Sequence, residues 1–216
     1  MTAGRQRRLV SASGSYGRIA LLVAMLVAAP LLATAPTAQT PQHVSFAGQL
    51  LIASPTIGDP RFDRTVVLMV EHTPNGALGI VINLPLEERP LAGLLEMLGE
   101  KNPTVAGKVR IFAGGPVQPT IGFVVHSAEY HRPGTVDIDG RVAMTSSREI
   151  LLDIGNDRGP QKSLVAFGYA GWAPGQLESE VKRRAWYTAP ADPQLVFDED
   201  RAKVWDLAFA RRTQDL

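Results

Sequence analysis

Cysteine is missing from all 216 residues, which removes a disulfide framework, a thiol nucleophile and a thiolate metal site together. A basic surplus is missing as well. The chain holds 22 Lys and Arg against 21 Asp and Glu, but Arg5, Arg7, Arg8 and Arg18 all fall in residues 1–42, a stretch without any acid. Removing those four leaves 18 basic and 21 acidic side chains over residues 43–216, a net charge of −3. Nucleic-acid binders draw most of their affinity from neutralising phosphates, so this balance argues against a nucleic-acid partner. The lack of a helix-turn-helix with a basic second helix points the same way. There is also no GxGxxG or GxxxxGK[ST] phosphate loop, no GxSxG nucleophile elbow and no HExxH metal pair.

What is present begins with an unusual leader. Fourteen of the fifteen residues 19–33 are apolar, four arginines precede them, and no charge appears from Ile19 through Gln42. A basic region, an apolar region and small residues at 33–38 form the layout of a secretory signal peptide. Ala33-Thr34-Ala35 offers a cleavage match, although Pro36 is a poor residue after the cut. The second reading is an uncleaved anchor, but the run falls short of the roughly 20 apolar residues of a span and carries Pro30. Arg7-Arg8 lacks the rest of a twin-arginine signal. A third reading takes the Ala-, Arg-, Pro- and Gly-rich leader as upstream DNA read as protein, with a start at Val44. Residues 1–42 are thus assigned as signal peptide or membrane anchor and residues 43–216 as one domain. An exported or periplasmic location follows if the leader is used, and a cytoplasmic one if it is not. Membrane contact is expected only through the N-terminal segment.

Past residue 48 the pattern changes to short apolar runs punctuated by Gly, Pro, Asn and Asp. Residues 49–53, 65–70, 77–84, 108–113, 121–126 and 163–169 read as strands, being four to eight residues long, rich in Val and Ile and bounded by turn residues. Several are apolar throughout, which predicts cover on both faces. Residues 135–139 and 141–145 flank Asp139-Gly140, a type I′ hairpin signal, and residues 194–197 suggest an edge strand. Helices fit at 91–98, with Leu91, Leu94, Leu95 and Leu98 on one face, and at a segment capped by Ser146 or Ser147 and ended by Gly155. A third suits Pro174 in its first turn, with Leu177, Val181 and Ala185 on a stripe and Glu178–Lys182 and Glu180–Arg184 as i,i+4 pairs. A last helix is expected from the acidic residues 198–200 to Arg211-Arg212. Strands early and helices interspersed point to an α+β domain.

Ordered blocks then carry a resemblance. GQLLIASP (48–55), DPRFDRTVV (59–67) and EHTPNGALGIVIN (71–83), followed by AGGP (113–116), GFVVH (122–126), TSSR (145–148), GYAGWAPGQLE (168–178) and AWYTAPAD (185–192), resemble the AlgH/YqgE family of bacterial proteins over roughly residues 46–213. The resemblance implies an α+β fold in which a bifurcated, mostly antiparallel sheet folds into a pseudo-barrel flanked by helices. It implies no particular activity. Some family members carry the label of transcriptional regulator of alginate synthesis, which the charge balance of this chain does not favour. Family members usually begin shortly before the GQLLIA block, so the leader is a departure.

The candidate chemistry is sparse. Gly114-Gly115-Pro116 is read as a strand-ending turn, because Pro116 lacks the N–H that a phosphate cradle needs. His126, Glu129 and His131 match no metal-ligand spacing, and neither a metal nor a cofactor is expected. Glu71-His72, just before the turn at 73–76, is the best acid–base pair. The richest block is 168–178, where Trp172 offers a contact face or else plugs the barrel mouth, and Gln176 and Glu178 add polar groups. The reading that follows is a non-enzymatic binding or regulatory protein, meeting a protein or small-molecule partner at a surface of Glu71, His72, Asn75, Asn83, Trp172, Gln176 and Glu178. The alternative is a hydrolase or other acid–base enzyme using Glu71 and His72.

Overall fold

The computed structural model describes residues 44–198 and 200–213; the leader, with its signal-peptide and anchor readings, lies outside them. Among the described residues no helix is long and apolar enough to cross a membrane. Three strands show why the apolar runs take the form they do. In β1 (Gln49–Ala53), β2 (Val66–Thr73) and β3 (Gly76–Val81) successive side chains point to opposite faces. Leu50, Ile52, Val66, Leu68 and Ile80 enter a first core with Phe112, Phe123, Val125 and Trp205. Leu51, Ala53, Val67, Met69 and Val81 enter a second with Trp172, Leu177 and Trp186. Both faces are covered, so neither needed polar residues.

The remaining strands are β4 (Pro85–Pro90), β5 (Lys108–Ala113), β6 (Val117–Ser127), β7 (Thr135–Asp137), β8 (Val142–Thr145), β9 (Ser163–Trp172) and β10 (Trp186–Pro190). The ten strands run β10-β1-β2-β3-β9-β6-β8-β7, with β4 and β5 as a branch. The branch point is β9. Its residues 165–167 pair in parallel with 111–113 of β5, and its residues 170–172 pair antiparallel with 77–79 of β3. Its other edge is taken by antiparallel β6. The fold is therefore α+β, with a mostly antiparallel, bifurcated sheet that curls into a half-barrel around the first core.

Between the two halves of β9 lies Gly168, whose φ is +75°, and the AGGP turn crosses there backbone to backbone. A Cβ on Gly168 would stand 2.4 Å from the Gly115 carbonyl oxygen, and one on Gly115 only 2.1 Å from the Tyr169 carbonyl carbon. Only glycine fits either place. The turn expected at residues 114–116 is thus the crossing that forks the sheet.

Four helices complete the described chain. α1 (Leu91–Met97) and α2 (Glu149–Gly155) place Leu91, Leu94, Leu95, Ile150 and Leu151 over Ile111, Val124 and Val165 in a third core. α4 (Val204–Ala210) covers the first core. There the Trp205 indole N–H donates to the Ala53 carbonyl at 2.9 Å, and Phe209 stacks on Trp205 with centroids 4.8 Å apart. α3 (Gln176–Lys182) lies on the second core through Leu177.

Several local expectations need correction. Residues 194–197 form no edge strand but a π-helical turn, Gln194–Asp198. Asp192 initiates it by accepting from Gln194 N through its side chain and from Val196 N through its carbonyl. Leu195 and Val196 are buried in the first core with Phe197 packed against it, while Gln194 is exposed, so the short apolar run here is the buried side of a helical turn. The hairpin around Asp139-Gly140 is wider than a two-residue turn, because Asp137 pairs with Ala143 and Ile138 N donates to the Val142 carbonyl, which leaves residues 139–141 in the loop. Neither Ser146 nor Ser147 caps α2; Arg148 holds the cap position and the Ser147 hydroxyl turns to Glu149. Pro174 precedes α3, whose N-cap is the left-handed Gly175. Glu180 does not pair with Arg184 but turns inward, as described below. The final helix starts at Val204, a turn later than expected, since Asp200 closes the turn before it by accepting from Ala202 and Lys203 N. Glu199 lies outside the described residues.

Candidate functional site

The block 168–178 delivers β9 and α3 to one corner of the sheet, and a residue from the next turn of α3 organises that corner. Glu180 Oε2 accepts both the Trp172 indole N–H at 2.9 Å and the Trp186 indole N–H at 2.8 Å, while Gln176 Nε2 donates to Oε1 at 2.9 Å. The two indoles meet edge to face at 5.9 Å. One carboxylate thereby ties a helix to two strands, β9 and β10. Trp172 is only 7 % exposed and its ring packs in the second core, not in the first core that the half-barrel encloses. Gln176 also accepts from Ala173 N, serving the turn into the helix.

Glu71 and His72 do not form an acid–base pair. They are neighbours on a strand and point to opposite faces. His72 enters the second-core side, where its side chain is 1 % exposed, stacked on Phe46 at 5.1 Å. Its Nδ1 accepts the Phe46 N–H at 3.0 Å, which puts the proton of a neutral ring on Nε2, 3.3 Å from Glu178 Oε1. The ring thus pins the chain at 45–46 to β2, helped by the Ser45 hydroxyl on the His72 carbonyl. Glu71 is exposed on the other face. An enzyme using these two residues as a unit finds no support in this geometry.

Two other polar residues serve the fold. Asn83 accepts from Val66 N at 2.8 Å and donates to the Arg64 carbonyl at 2.9 Å, closing the entry to β2. His126 is buried; its Nδ1 meets the Ser127 carbonyl at 3.0 Å and its Nε2 meets the Thr145 hydroxyl at 2.9 Å. Burial pushes its pKa below the ordinary imidazole value, against the smaller opposing pull of the Ser127 carbonyl and Glu129. Glu129 itself accepts from Ser127 and from Gln161 N. Among the described residues no group of three His, Asp or Glu could hold a metal ion.

The seven expected surface residues are thus divided. Glu71, Asn75 and Trp172 line a cleft of about 450 Å³ together with Thr73, Leu78, Val117, Tyr169 and Gly171. Trp172 and Gln176 line a neighbouring hollow of about 340 Å³ with Phe62, Glu180 and Arg183. The two share Val117, Gly171 and Trp172 as a common ridge. Glu178 faces a separate cleft of about 500 Å³ beside Phe46 and Lys182. His72 and Asn83 belong to the interior. Sequence reasoning missed Glu180 and Tyr169. Glu180 could not be singled out because its partners are indoles on distant strands, whereas the i, i+2 spacing of Tyr169 and Gly171 on a strand was a usable sign that they share a face.

The fold and sequence are similar to those of known proteins. A family model described as AlgH-like, DUF179, matches residues 50–216. A UPF0301 protein of Sphingopyxis alaskensis is 44 % identical over 170 residues, covering 79 % of this chain and 90 % of its own length. One from Stutzerimonas stutzeri is 45 % identical over 150 residues, covering 68 % and 78 %. The solution structure of the AlgH protein of Pseudomonas aeruginosa superposes with a TM-score of 0.67 at 40 % identity, covering 80 % of this chain and 92 % of that one. A crystal structure of a Corynebacterium diphtheriae protein superposes with a TM-score of 0.60 at 22 % identity, over 81 % and 91 %, a likeness of fold alone. The chain belongs to the AlgH-like family.

Proposed function

We propose that this AlgH-like domain is a non-enzymatic binding or regulatory protein whose contact surface is the pair of hollows on either side of the Val117–Gly171–Trp172 ridge. The observation that carries this reading is the cleft of about 450 Å³ lined by Glu71, Thr73, Asn75, Tyr169 and Gly171, which opens where the first core reaches solvent. Concave sites at the mouths of barrels are frequent places for ligands. His72 and His126 support binding rather than turnover, since both are engaged in holding main chain or a buried hydroxyl. The test is capture of a partner by full-length protein and by the double variant Asn75→Ala, Gly171→Ala. Loss of the partner at unchanged melting temperature supports the surface; retention of every partner contradicts it. Trp172→Ala is unsuited to this purpose, because it opens a cavity in the second core.

The leader is proposed as an export signal, with residues 43–216 as the domain that it exports. It has the basic, apolar and small-residue order of such a signal. Cell fractionation with mass spectrometry of the N-terminus tests it. A chain beginning between Pro36 and Gln42 outside the cytoplasm supports export, and a cytosolic chain beginning near Val44 overturns it.

A further inference from the structure

We infer that the cleft beside Gly171 binds an organic cation carried on an alkyl stem, a guanidinium or an ammonium, with Glu71 as its counter-ion; this rests on the binding reading above and names its chemistry. Register builds the site. Glu71 pairs with Leu78 across β2 and β3, and Leu78 pairs with Gly171 across β3 and β9. Two strand spacings put Glu71 and Gly171 about 10 Å apart, with the same face of the sheet between them. Gly171 contributes no side chain to this row, and a Cβ there would stand 3.2 Å from the Tyr169 ring. Leu78 lies between Glu71 and Gly171 on that face, Gly171 forms the low edge of the depression, and Tyr169 and Val117 line it beside them.

Its charge is of one sign, while Thr73, Asn75 and Tyr169 can each donate or accept. Glu71 is the sole charged residue lining the cleft, and its side chain forms no ion pair or hydrogen bond among the described residues. The Asn75 side-chain amide and the Tyr169 hydroxyl have no hydrogen-bond partner among the described residues either. Glu71 offers acceptors only, and Asn75 and Tyr169 can each add one. A ligand group that only donates, such as a guanidinium with five N–H or an ammonium with three, matches this set, while a carboxylate or phosphate does not. The aliphatic walls suit the stem, and the Tyr169 ring can receive the cation on its face. The neighbouring hollow lacks this bias, because Asp59 and Arg61 pair with each other and Glu180 is taken by two indoles. The net charge of −3 over residues 43–216 favours the approach of a cation at longer range.

The experiment is a titration of isotope-labelled full-length protein, followed by amide chemical shifts. The probes are N-acetyl-arginine methylamide, its neutral citrulline analogue and spermidine. The arginine probe is expected to move the resonances of Glu71, Leu78 and Gly171, to bind at least fivefold more tightly than citrulline, and to weaken as salt is raised. Glu71→Gln should abolish the preference for arginine over citrulline without changing the melting temperature, and Gly171→Ala should weaken both probes. Arginine favoured over spermidine identifies a side chain of a protein partner as the source, and spermidine favoured identifies a free polyamine. Citrulline binding as tightly as arginine at the same resonances overturns the cation inference and leaves the cleft reading standing. Absence of any shift with all three probes, or unchanged arginine preference in Glu71→Gln, overturns the inference outright, and the Asn75→Ala, Gly171→Ala capture experiment then decides the cleft reading by itself.

Discussion

Two glutamates stand on opposite sides of the Gly171–Trp172 ridge, and they are used in opposite ways. Glu180 is enclosed by hydrogen bonds from Trp172, Trp186 and Gln176 and fastens α3 to β9 and β10. Glu71, two strands away from β9, faces solvent beside Leu78, and its side chain is bound by nothing among the described residues. The difference shows how one sheet can hold a fold together on one face and leave a carboxylate idle on the other. Alternation along β9 decides which face each side chain serves: Trp172 and Ala170 turn to the second core, Tyr169 and Gly171 to the cleft.

The comparison depends on the fork in the sheet, so its most severe test is there. Gly115→Ala places a Cβ 2.1 Å from the Tyr169 carbonyl carbon. We expect a loss of more than about 4 kcal/mol, read as failure to obtain folded protein or as collapse of the urea midpoint. On the closed side, Trp172→Ala should cost about 3–5 kcal/mol by cavity formation and loss of a donor to Glu180, measured by chemical denaturation. Trp172→Phe keeps most of the packing and should cost clearly less.

A third carboxylate extends the contrast to pH. Asp153 on α2 accepts from the Tyr130 hydroxyl and from Arg132 Nε, both at 2.7 Å. Burial disfavours its charge, but those hydrogen bonds with the charges of Arg132 and Arg158 outweigh it and hold its pKa below 3.8. Its contribution is therefore complete above pH 3.8 and is lost as pH falls through the lower, folded-state value. Removing it in Asp153→Ala should cost about 2 kcal/mol at neutral pH, and that deficit should shrink in strong acid. For His126 the window is higher. Its folded pKa is depressed from 6.5, so below pH 6.5 the unfolded chain takes up a proton that the folded chain refuses. Stability then declines until pH reaches the folded value, and His126→Gln should flatten that slope in a pH series of thermal melts. The smallest effect belongs to the open side: Glu71→Gln should change stability by less than about 0.5 kcal/mol.

Much of the fold was legible because buried strands announce themselves. β1 and β5 were read with their observed ends, and the α1 stripe followed from Leu91, Leu94 and Leu95. β4 was missed because Pro85, Glu87, Glu88, Arg89 and Pro90 form an exposed edge with no apolar alternation. β10 was missed because it follows α3 after a turn at Arg184, whose φ of +59° no residue pattern signals. At the site, the block 168–178 could be picked out by its glycines and its tryptophan. The division of labour within it could not, since Glu180 meets its indoles only through tertiary packing. Likewise, the adjacency of Glu71 and His72 suggested a catalytic pair, although strand geometry turns neighbours apart.

The central claim is that Glu71 is held free of the fold for a cationic ligand while Glu180 is committed to the fold. Calorimetric melting of the wild-type chain, Glu180→Gln and Glu71→Gln, each with and without saturating N-acetyl-arginine methylamide, tests it most directly. A ligand that binds only the folded state raises the melting temperature by mass action. The account predicts a lower starting melting temperature but an undiminished rise for Glu180→Gln, and an unchanged starting temperature with no rise for Glu71→Gln. A rise in Glu71→Gln equal to that of the wild type would contradict it.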